Sequence, residues 1–297
     1  MSTGIATNRS YIDLPEAVSN EIIQKTQEAS AVMQLARKVA LPGRGLAIPV
    51  ITSDPEASWV SETAAKPVAN PGLATKILRG YKLAVIVPFS DEFIRDEKAL
   101  FQAVIDRLPG ALATKFDKTV FGNGSKPGSD FDNFADVTAY DINASVNPDA
   151  YAALVSADED VAIHGGLLNG YVISPQAKGI LLASRDNDGR PLFINNVAEG
   201  AIPMILGSKT VLRKAAFKAG TPSIVGFAGD WTQAIYGIVN DVKIDFSSEA
   251  TLTLADSSTI NLFQNNMTAV RAEIEIGFRA DTSVFTALSS GSAVPTI

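Results

Sequence analysis

Residues 267–278 read MTAVRAEIEIGF and decide the fold, because apolar and charged side chains alternate along them. The apolar set is Val270, Ala272, Ile274, Ile276 and Phe278. Arg271, Glu273 and Glu275 occupy the alternate positions. A period of two predicts a β-strand with one buried face and one charged face. Residues 231–246 (WTQAIYGIVNDVKIDF) predict a second such strand, so the last third of the chain is expected to be mainly β-sheet.

Residues 14–40 predict a helix at the other end of the chain. Pro15 suits a first helical turn, and apolar residues follow at helical spacing from Val18 and Ile22 onward. The sequence LPG at 41–43 ends the helix. This segment has one apolar stripe and little of its own chain to bury it against.

Two apolar stretches next to this helix, GLAIPVIT (45–52) and ILRGYKLAVIVPF (77–89), predict strands. The connection between them is polar and interrupted by prolines. It is either a mobile surface loop or a long two-stranded arm. An isolated two-stranded hairpin is marginal in water, so such an arm is expected to place Trp59 and Val60 on another subunit. These residues alone leave both interpretations open.

The middle of the chain predicts helices and short strands in alternation. Ser90 is expected to cap a short helix that breaks near Glu97. A helix of about 36 Å follows at 98–121, bent or divided at Pro109-Gly110. A loop (123–148), helices at 148–163 and 175–184, a strand at 170–174 and short strands within 200–228 complete the pattern. This pattern predicts the α+β class.

Composition excludes several kinds of active site. The 297 residues carry a net charge of -7 and include no cysteine and one histidine, His164, so thiol chemistry and His-rich metal sites are absent. His164 is expected at a helix end, and residues 158–160 on a solvated helix face. Residues 115–118 (KFDK) predict a mixed charged face. We therefore predict no catalytic residue, no cofactor and no metal.

Localisation and nucleic-acid contacts follow from the same composition. No apolar run approaches the ~20 residues that span a bilayer, and the first residues lack the pattern of a secretion signal. The acidic balance argues against a protein that grips nucleic acid over a broad basic face. It remains compatible with a wall that encloses DNA.

Short segments occur in a fixed order around the long helix. They are ASWVSE (57–62), KLAVIVPFSDE (82–92), FGNG (121–124), VISPQ (172–176), DGRPL (188–192), GDW (229–231) with Ile235 and Tyr236, VRAE (270–273) and Phe285. This set resembles the major capsid proteins of tailed bacteriophages with the Hong Kong 97-like fold, from about residue 14 to residue 289. No single segment is diagnostic, but their order is fairly specific.

The resemblance implies an assignment of parts. These are an N-terminal arm (1–42), an extended β-hairpin loop lying on an adjacent subunit (43–87), a peripheral domain with a long spine helix (88–130), an axial domain (131–230), peripheral β-strands (231–280) and a C-terminal segment (281–297). The implied subunit interface consists of Trp59, Val60, Glu62 and Lys66 in the loop and Val18 and Ile22 in the arm.

The same resemblance implies partners and a location. The chain would assemble with itself as pentamers and hexamers into an icosahedral shell around double-stranded DNA, without sequence-specific binding. The other partners implied are a portal protein and a separate scaffolding protein, although assembly without any scaffold stays open, and a decoration protein is a further candidate. No membrane is expected. The subunit would belong to the virion and assemble in the host bacterial cytoplasm. Lys66 and Lys76 lie where some relatives are cross-linked, but no motif fixes a partner, so no cross-link is expected.

Two alternatives differ in role. An encapsulin-type nanocompartment shares the fold but packages protein cargo. A soluble enzyme of an unrecognised α+β class fits least, because one histidine and no converging carboxylates offer little chemistry.

Overall fold

The structure, a computed structural model, describes residues 29–53, 72–143, 150–185, 204–254 and 256–291, together with positions 26, 57, 59, 60, 66 and 68. Runs of strands and runs of helices follow one another within these ranges, which confirms the predicted α+β class. The strands form a four-stranded sheet, a six-stranded sheet and two hairpins.

The helices in the described ranges are α1 (Ala31–Leu35), α2 (Asp91–Asp96), α3 (Lys98–Ile105), α4 (Leu108–Val120), α5 (Ala150–Ile163) and α6 (Pro175–Ala183). The strands are β1 (Arg37–Ala40), β2 (Leu46–Ser53), β3 (Gly72–Leu78), β4 (Tyr81–Ser90), β5 (Ala139–Asp141), β6 (Gly170–Ile173), β7 (Met204–Ile205), β8 (Ser208–Leu212), β9 (Ser223–Gly229), β10 (Ala234–Ser247), β11 (Thr251–Thr253), β12 (Thr259–Asn261), β13 (Met267–Ala280) and β14 (Phe285–Ser290). Short 3-10 turns lie at Lys214–Ala216, Trp231–Gln233 and Thr282–Val284.

The four-stranded sheet has the order β1-β10-β13-β4. Strand β13 is antiparallel to both neighbours, with Val270 opposite Phe246 on one side and Val87 on the other. The predicted apolar face of β13 is confirmed, because all five of its apolar side chains are buried: Val270, Ala272, Ile274, Ile276 and Phe278. Strand β10 begins at Ala234, three residues later than predicted, because Trp231–Gln233 forms a 3-10 turn.

The six-stranded sheet has the order β5-β14-β9-β6-β8-β7. Strands β5 and β14 are parallel, as are β6 and β8, while β9 runs antiparallel to β14 and β6. Helix α5 packs over β5 and β14, and helix α6 packs over β6 and β9. The sheet is therefore covered by different helices near its β5 end and at its middle.

A cluster of aromatic rings joins the two sheets. Phe134 stacks on Phe285 of β14 at 4.4 Å between ring centroids, and it meets Phe278 of β13 edge-on at 5.8 Å. Phe227 of β9 and Trp231 also lie against Phe134. Since these rings come from both sheets, one continuous apolar core runs through the described molecule.

The loop after α4 brings Phe134 into this cluster. Gly122 begins the loop with φ +70, in the left-handed region, and a Cβ there would lie 2.6 Å from the Cα of Ala135. Only glycine satisfies both the backbone angle and the close approach.

The predicted helix over 14–40 is wrong at its C-terminal end. Helix α1 stops at Leu35, Ala36 is extended, and residues 37–40 form β1, parallel to β10. The edge of β10 supplies hydrogen-bond partners for this strand, so tertiary pairing overrides the helical pattern. Of the residues before 29, the structure describes Thr26 alone.

The predicted single strand over 77–89 is two strands. Strand β3 ends at Leu78 and pairs with β2, while β4 starts at Tyr81 and pairs with β13. Gly80 lies between them, and a Cβ there would be 2.5 Å from the Val239 side chain. The chain changes sheets at this close contact.

The interruption predicted within residues 98–121 is confirmed, although it falls at residues 106–107 rather than at Pro109. Pro109 lies in the first turn of α4, where its missing N–H leaves no helical hydrogen bond unmade. The predicted caps are also confirmed. Ser90 accepts a hydrogen bond from the Phe93 N–H, and Ser174 accepts one from the Ala177 N–H.

Phe134→Ala is expected to lower the free energy of unfolding by about 3–5 kcal/mol, because it opens a cavity where the two sheets meet. Phe263→Ala is the matched control: Phe263 is 75% exposed, and its loss should change stability by no more than about 0.5 kcal/mol. Denaturant unfolding of the unassembled subunit measures both. Equal effects of the two substitutions would contradict the role given to the aromatic cluster.

Candidate assembly surfaces

The β2–β3 hairpin carries the predicted loop interface. Its strands pair from Leu46 opposite Leu78 to Ser53 opposite Gly72. The described positions beyond the paired strands are exposed, and Trp59 is fully so. Exposing a large apolar side chain to water is unfavourable, and burying it against a partner would remove this cost.

The base of the hairpin is fixed to the four-stranded sheet. Leu78 and Leu41 form a small buried cluster with Ile235 of β10. Lys76 Nζ donates a hydrogen bond to the Ala280 carbonyl at 3.3 Å, and Arg279 Nε donates one to the Ile77 carbonyl at 2.8 Å. The hairpin is therefore held at one end and exposes large side chains at the other.

Arg279 also anchors the loop after α4. Its guanidinium contacts Asp130 at 3.1 Å and Asp132 at 2.9 Å, and its side chain is 12% exposed. Asp132 in turn accepts a hydrogen bond from the Ala280 N–H at 3.2 Å. One arginine thus ties together β13, the hairpin base and the loop that carries Phe134.

Asp117 of α4 holds the N-terminal segment. Its carboxylate accepts hydrogen bonds from the Ser30 hydroxyl and from the backbone N–H groups of Ala31 (2.7 Å) and Val32 (3.4 Å). Ser30 also caps α1 by accepting from the Met33 N–H at 3.1 Å. The start of α1 is therefore satisfied by a side chain from a different helix.

The mixed charged face predicted for residues 115–118 is wrong at Asp117, which is 1% exposed. The signal was present in the sequence, because Asp117 shares a helical stripe with Ala113, Phe116 and Val120, all of them buried. Burial raises the pKa of Asp117 to about 6, although its hydrogen bonds and the charge of Arg213 act in the opposite direction.

The other predicted interface residues fall in two groups. Trp59, Val60 and Lys66 are exposed in the hairpin connection. Glu62, Val18 and Ile22 lie outside the described residues. Their shared interface therefore stays a prediction.

A polar groove of about 360 Å³ is lined by Asp136, Asp160, Asp281 and His164 among others. His164 follows the last residue of α5, as predicted, and its Nδ1 lies 2.8 Å from the Asp160 carbonyl. Asp158 and Glu159 are exposed, as predicted for a solvated face. Within the described part of the chain, no three acidic or histidine side chains are placed to hold a metal ion.

Among the same described residues, no helix has the length and apolarity needed to cross a bilayer.

These features describe an α+β subunit that presents a hairpin anchored at its base and exposing large side chains beyond its paired strands. The sequence profile of the phage capsid family matches residues 13–282. The chain therefore belongs to the phage capsid family.

Individual relatives agree with this assignment. The chain is 27% identical, over an alignment of 315 positions, to a protein described as the probable major capsid protein gp17 of Mycobacterium phage L5. The alignment covers 98% of this chain and 93% of the relative. It is 23% identical to the major capsid protein of Staphylococcus phage 80alpha, covering 90% of this chain and 82% of that one.

Solved structures share the fold. A chain of Mycobacterium phage Adephagia superposes with a TM-score of 0.73 at 22% identity, covering 90% of this chain and 91% of that one. A chain from the capsid of the native GTA particle computed with C5 symmetry gives 0.67 at 16% identity, covering 89% and 91%. The protein's role is that of a shell-forming capsid component of the virion, and the nanocompartment alternative is not favoured.

Asp117→Asn should change how stability depends on pH. The folded-state pKa of about 6 lies above the ordinary value of 3.8, so the folded protein binds the extra proton between these values. The associated stabilisation is full below about pH 4 and is lost as pH rises through 6.

The free energy of unfolding of the unsubstituted chain should therefore rise by about 2 kcal/mol relative to Asp117→Asn as pH falls from 7 to 4. Denaturant titrations at several pH values measure this difference. Parallel pH profiles for the two proteins would contradict it.

Proposed function

We propose that the chain assembles as pentamers and hexamers into an icosahedral shell that encloses double-stranded DNA, and that it has no enzymatic role. The observation that carries the proposal is the β2–β3 hairpin, anchored at its base by Leu78 and Arg279 and exposing Trp59. Such an arm buries its large side chains only against another subunit, which suits a symmetric assembly.

The proposal assigns a position in the shell to each part of the chain. The proposed loop is 43–87, of which the hairpin connection lies on an adjacent subunit with Trp59, Val60, Glu62 and Lys66 in contact, while residues 81–87 stay in β4 of their own subunit. The arm 1–42 adds Val18 and Ile22. Segments 88–130 and 231–280 form the peripheral domain. Segment 131–230 forms the axial domain around five-fold and six-fold centres, and 281–297 is the C-terminal segment. The two sheets support this division, because β10 and β13 of the four-stranded sheet lie within 231–280 and five strands of the six-stranded sheet lie within 131–230.

The net charge of -7 supports a shell that contains DNA without binding it tightly. A wall that repels phosphate mildly lets the genome be packed and released. We further propose that a portal and a separate scaffolding protein take part, that a decoration protein can bind, and that assembly takes place in the host cytoplasm.

Replacing residues 54–71 with an Asn-Gly turn should prevent closure of the shell. The pairing of Ser53 with Gly72 lets a two-residue turn close the shortened hairpin, so the subunit should still fold. Electron microscopy of the purified variant measures assembly, and denaturant unfolding measures the fold. Closed shells from this variant would overturn the role given to the loop.

Trp59→Ala tests the same contact by changing a single side chain. The yield of shells should fall, while the stability of the unassembled subunit should change by less than about 0.5 kcal/mol, because Trp59 is fully exposed. A loss of subunit stability, or an unchanged yield of shells, would count against the contact between subunits.

Negative-stain microscopy of the chain expressed alone tests the proposal as a whole. Closed, uniform shells support it and show that the chain nucleates its own assembly. Rings of five or six copies support it and indicate a required scaffold. A monomer that never assembles, even with a candidate scaffold, contradicts it.

A further inference from the structure

Among the described residues that build the six-stranded sheet and its covering helices, acidic and basic residues lie in separate segments. Segments 131–143, 150–163 and 281–291 contain seven acidic residues and no lysine or arginine. Segments 170–185 and 204–229 contain six basic residues and no aspartate or glutamate. Protein surfaces usually carry charges of both signs side by side, so this separation points to a role in binding.

The topology places β5 at one end of the sheet and β8 and β7 at the other, while β14 and β9 are direct neighbours in the middle. The acidic segments supply β5, β14 and the overlying helix α5, while the basic segments supply β6, β8, β7 and β9. The distance from β5 to β8 is four strand spacings, or roughly 19 Å. Side chains at these two ends do not reach each other within one subunit.

Each end also exposes apolar side chains beside its charges. On α5, Val155 is 40% exposed and lies one helical turn before Asp158 and Glu159, both exposed. At the other end, Met204 of β7 is 61% exposed and lies opposite the exposed Lys209 of β8. The two ends are therefore alike in apolar character and opposite in charge.

We propose that the α5 end of one subunit docks on the β7–β8 end of the next copy of the same chain. Asp158 and Glu159 then face Lys209 across the contact, while Val155 and Met204 bury each other. This inference rests on the proposed shell function and adds which two surfaces join neighbours within a ring.

Electrostatics favours this head-to-tail arrangement over a two-fold one. If α5 met its own copy, Asp158 and Glu159 would lie against the same acidic residues, and like charges at an interface are unfavourable. A heterologous contact instead repeats in one direction, and it forms a ring where the rotation between neighbours closes. Exposed ion pairs contribute little energy each, so their main effect is to fix the partner surface and the direction of the ring.

Cysteine cross-linking tests the contact directly, because the chain has no cysteine of its own. Val155→Cys and Met204→Cys subunits are made separately, co-assembled, and treated with a short bismaleimide. Covalent dimers are expected from the mixture and not from either variant assembled alone. A chain carrying both cysteines should give a ladder that ends at five and six copies.

The control pair is Val155→Cys with Phe263→Cys, whose exposed side chain lies between β12 and β13. This pair should give no dimers. Dimers from Val155→Cys alone would show a two-fold contact and overturn the inference. Shells or rings that form normally but give no cross-link would overturn it as well, while leaving the shell function standing. An unsubstituted chain that never associates, even with a candidate scaffold, would overturn both.

Charge reversal provides an independent readout. Asp158→Lys with Glu159→Lys should weaken each contact between neighbours roughly fivefold, and adding Lys209→Glu should restore part of the loss. These positions are exposed, so folding should be preserved. Sedimentation measures the assembled fraction at low salt and at about 1 M, where the Debye length is ~3 Å and the difference should disappear. No recovery in the triple variant would count against the pairing.

Discussion

Strand β13 is hydrogen-bonded along both edges, by β10 on one side and β4 on the other, and this constrains everything around it. Its inner face is entirely apolar, so it must be covered by a layer that excludes water. Helix α4 supplies part of that layer, and the ring of Phe278 supplies the link to Phe134 and the six-stranded sheet. Because Phe134 also stacks on Phe285 of β14, the same aromatic ring packs against both sheets.

Two polar contacts extend this rigid centre to the segments that a shell needs. Arg279, at the end of β13, holds the hairpin base and the loop after α4. Asp117, on the helix that covers β13, holds the start of α1. Both contacts are partly or fully shielded from water. In such shielded sites charge-assisted hydrogen bonds are strong, and removing one partner is costly. The anchored ends of these segments are therefore well defined, whereas the described positions beyond the hairpin strands stay exposed.

The candidate site was only partly readable from the sequence. The prolines and small polar residues between β2 and β3 indicated a surface connection, and Trp59 stood out as a large apolar side chain within it. Asp117 was missed, because a charged residue between two lysines suggests solvent, although its helical stripe is otherwise buried. Its partner Ser30 is distant along the chain, and no local pattern connects the two.

The sequence by itself determined the α+β class, the buried face of β13, the caps at Ser90 and Ser174 and the lack of thiol chemistry. Each of these depends on residue type or on contacts a few positions apart, which periodicity and propensity describe directly. Only the tertiary structure decided that residues 37–40 form a strand, that β3 and β4 belong to different sheets, and that Asp117 is buried. In each of these cases a distant partner supplies the hydrogen bonds or the packing, and its free energy exceeds the weak local preference of the chain.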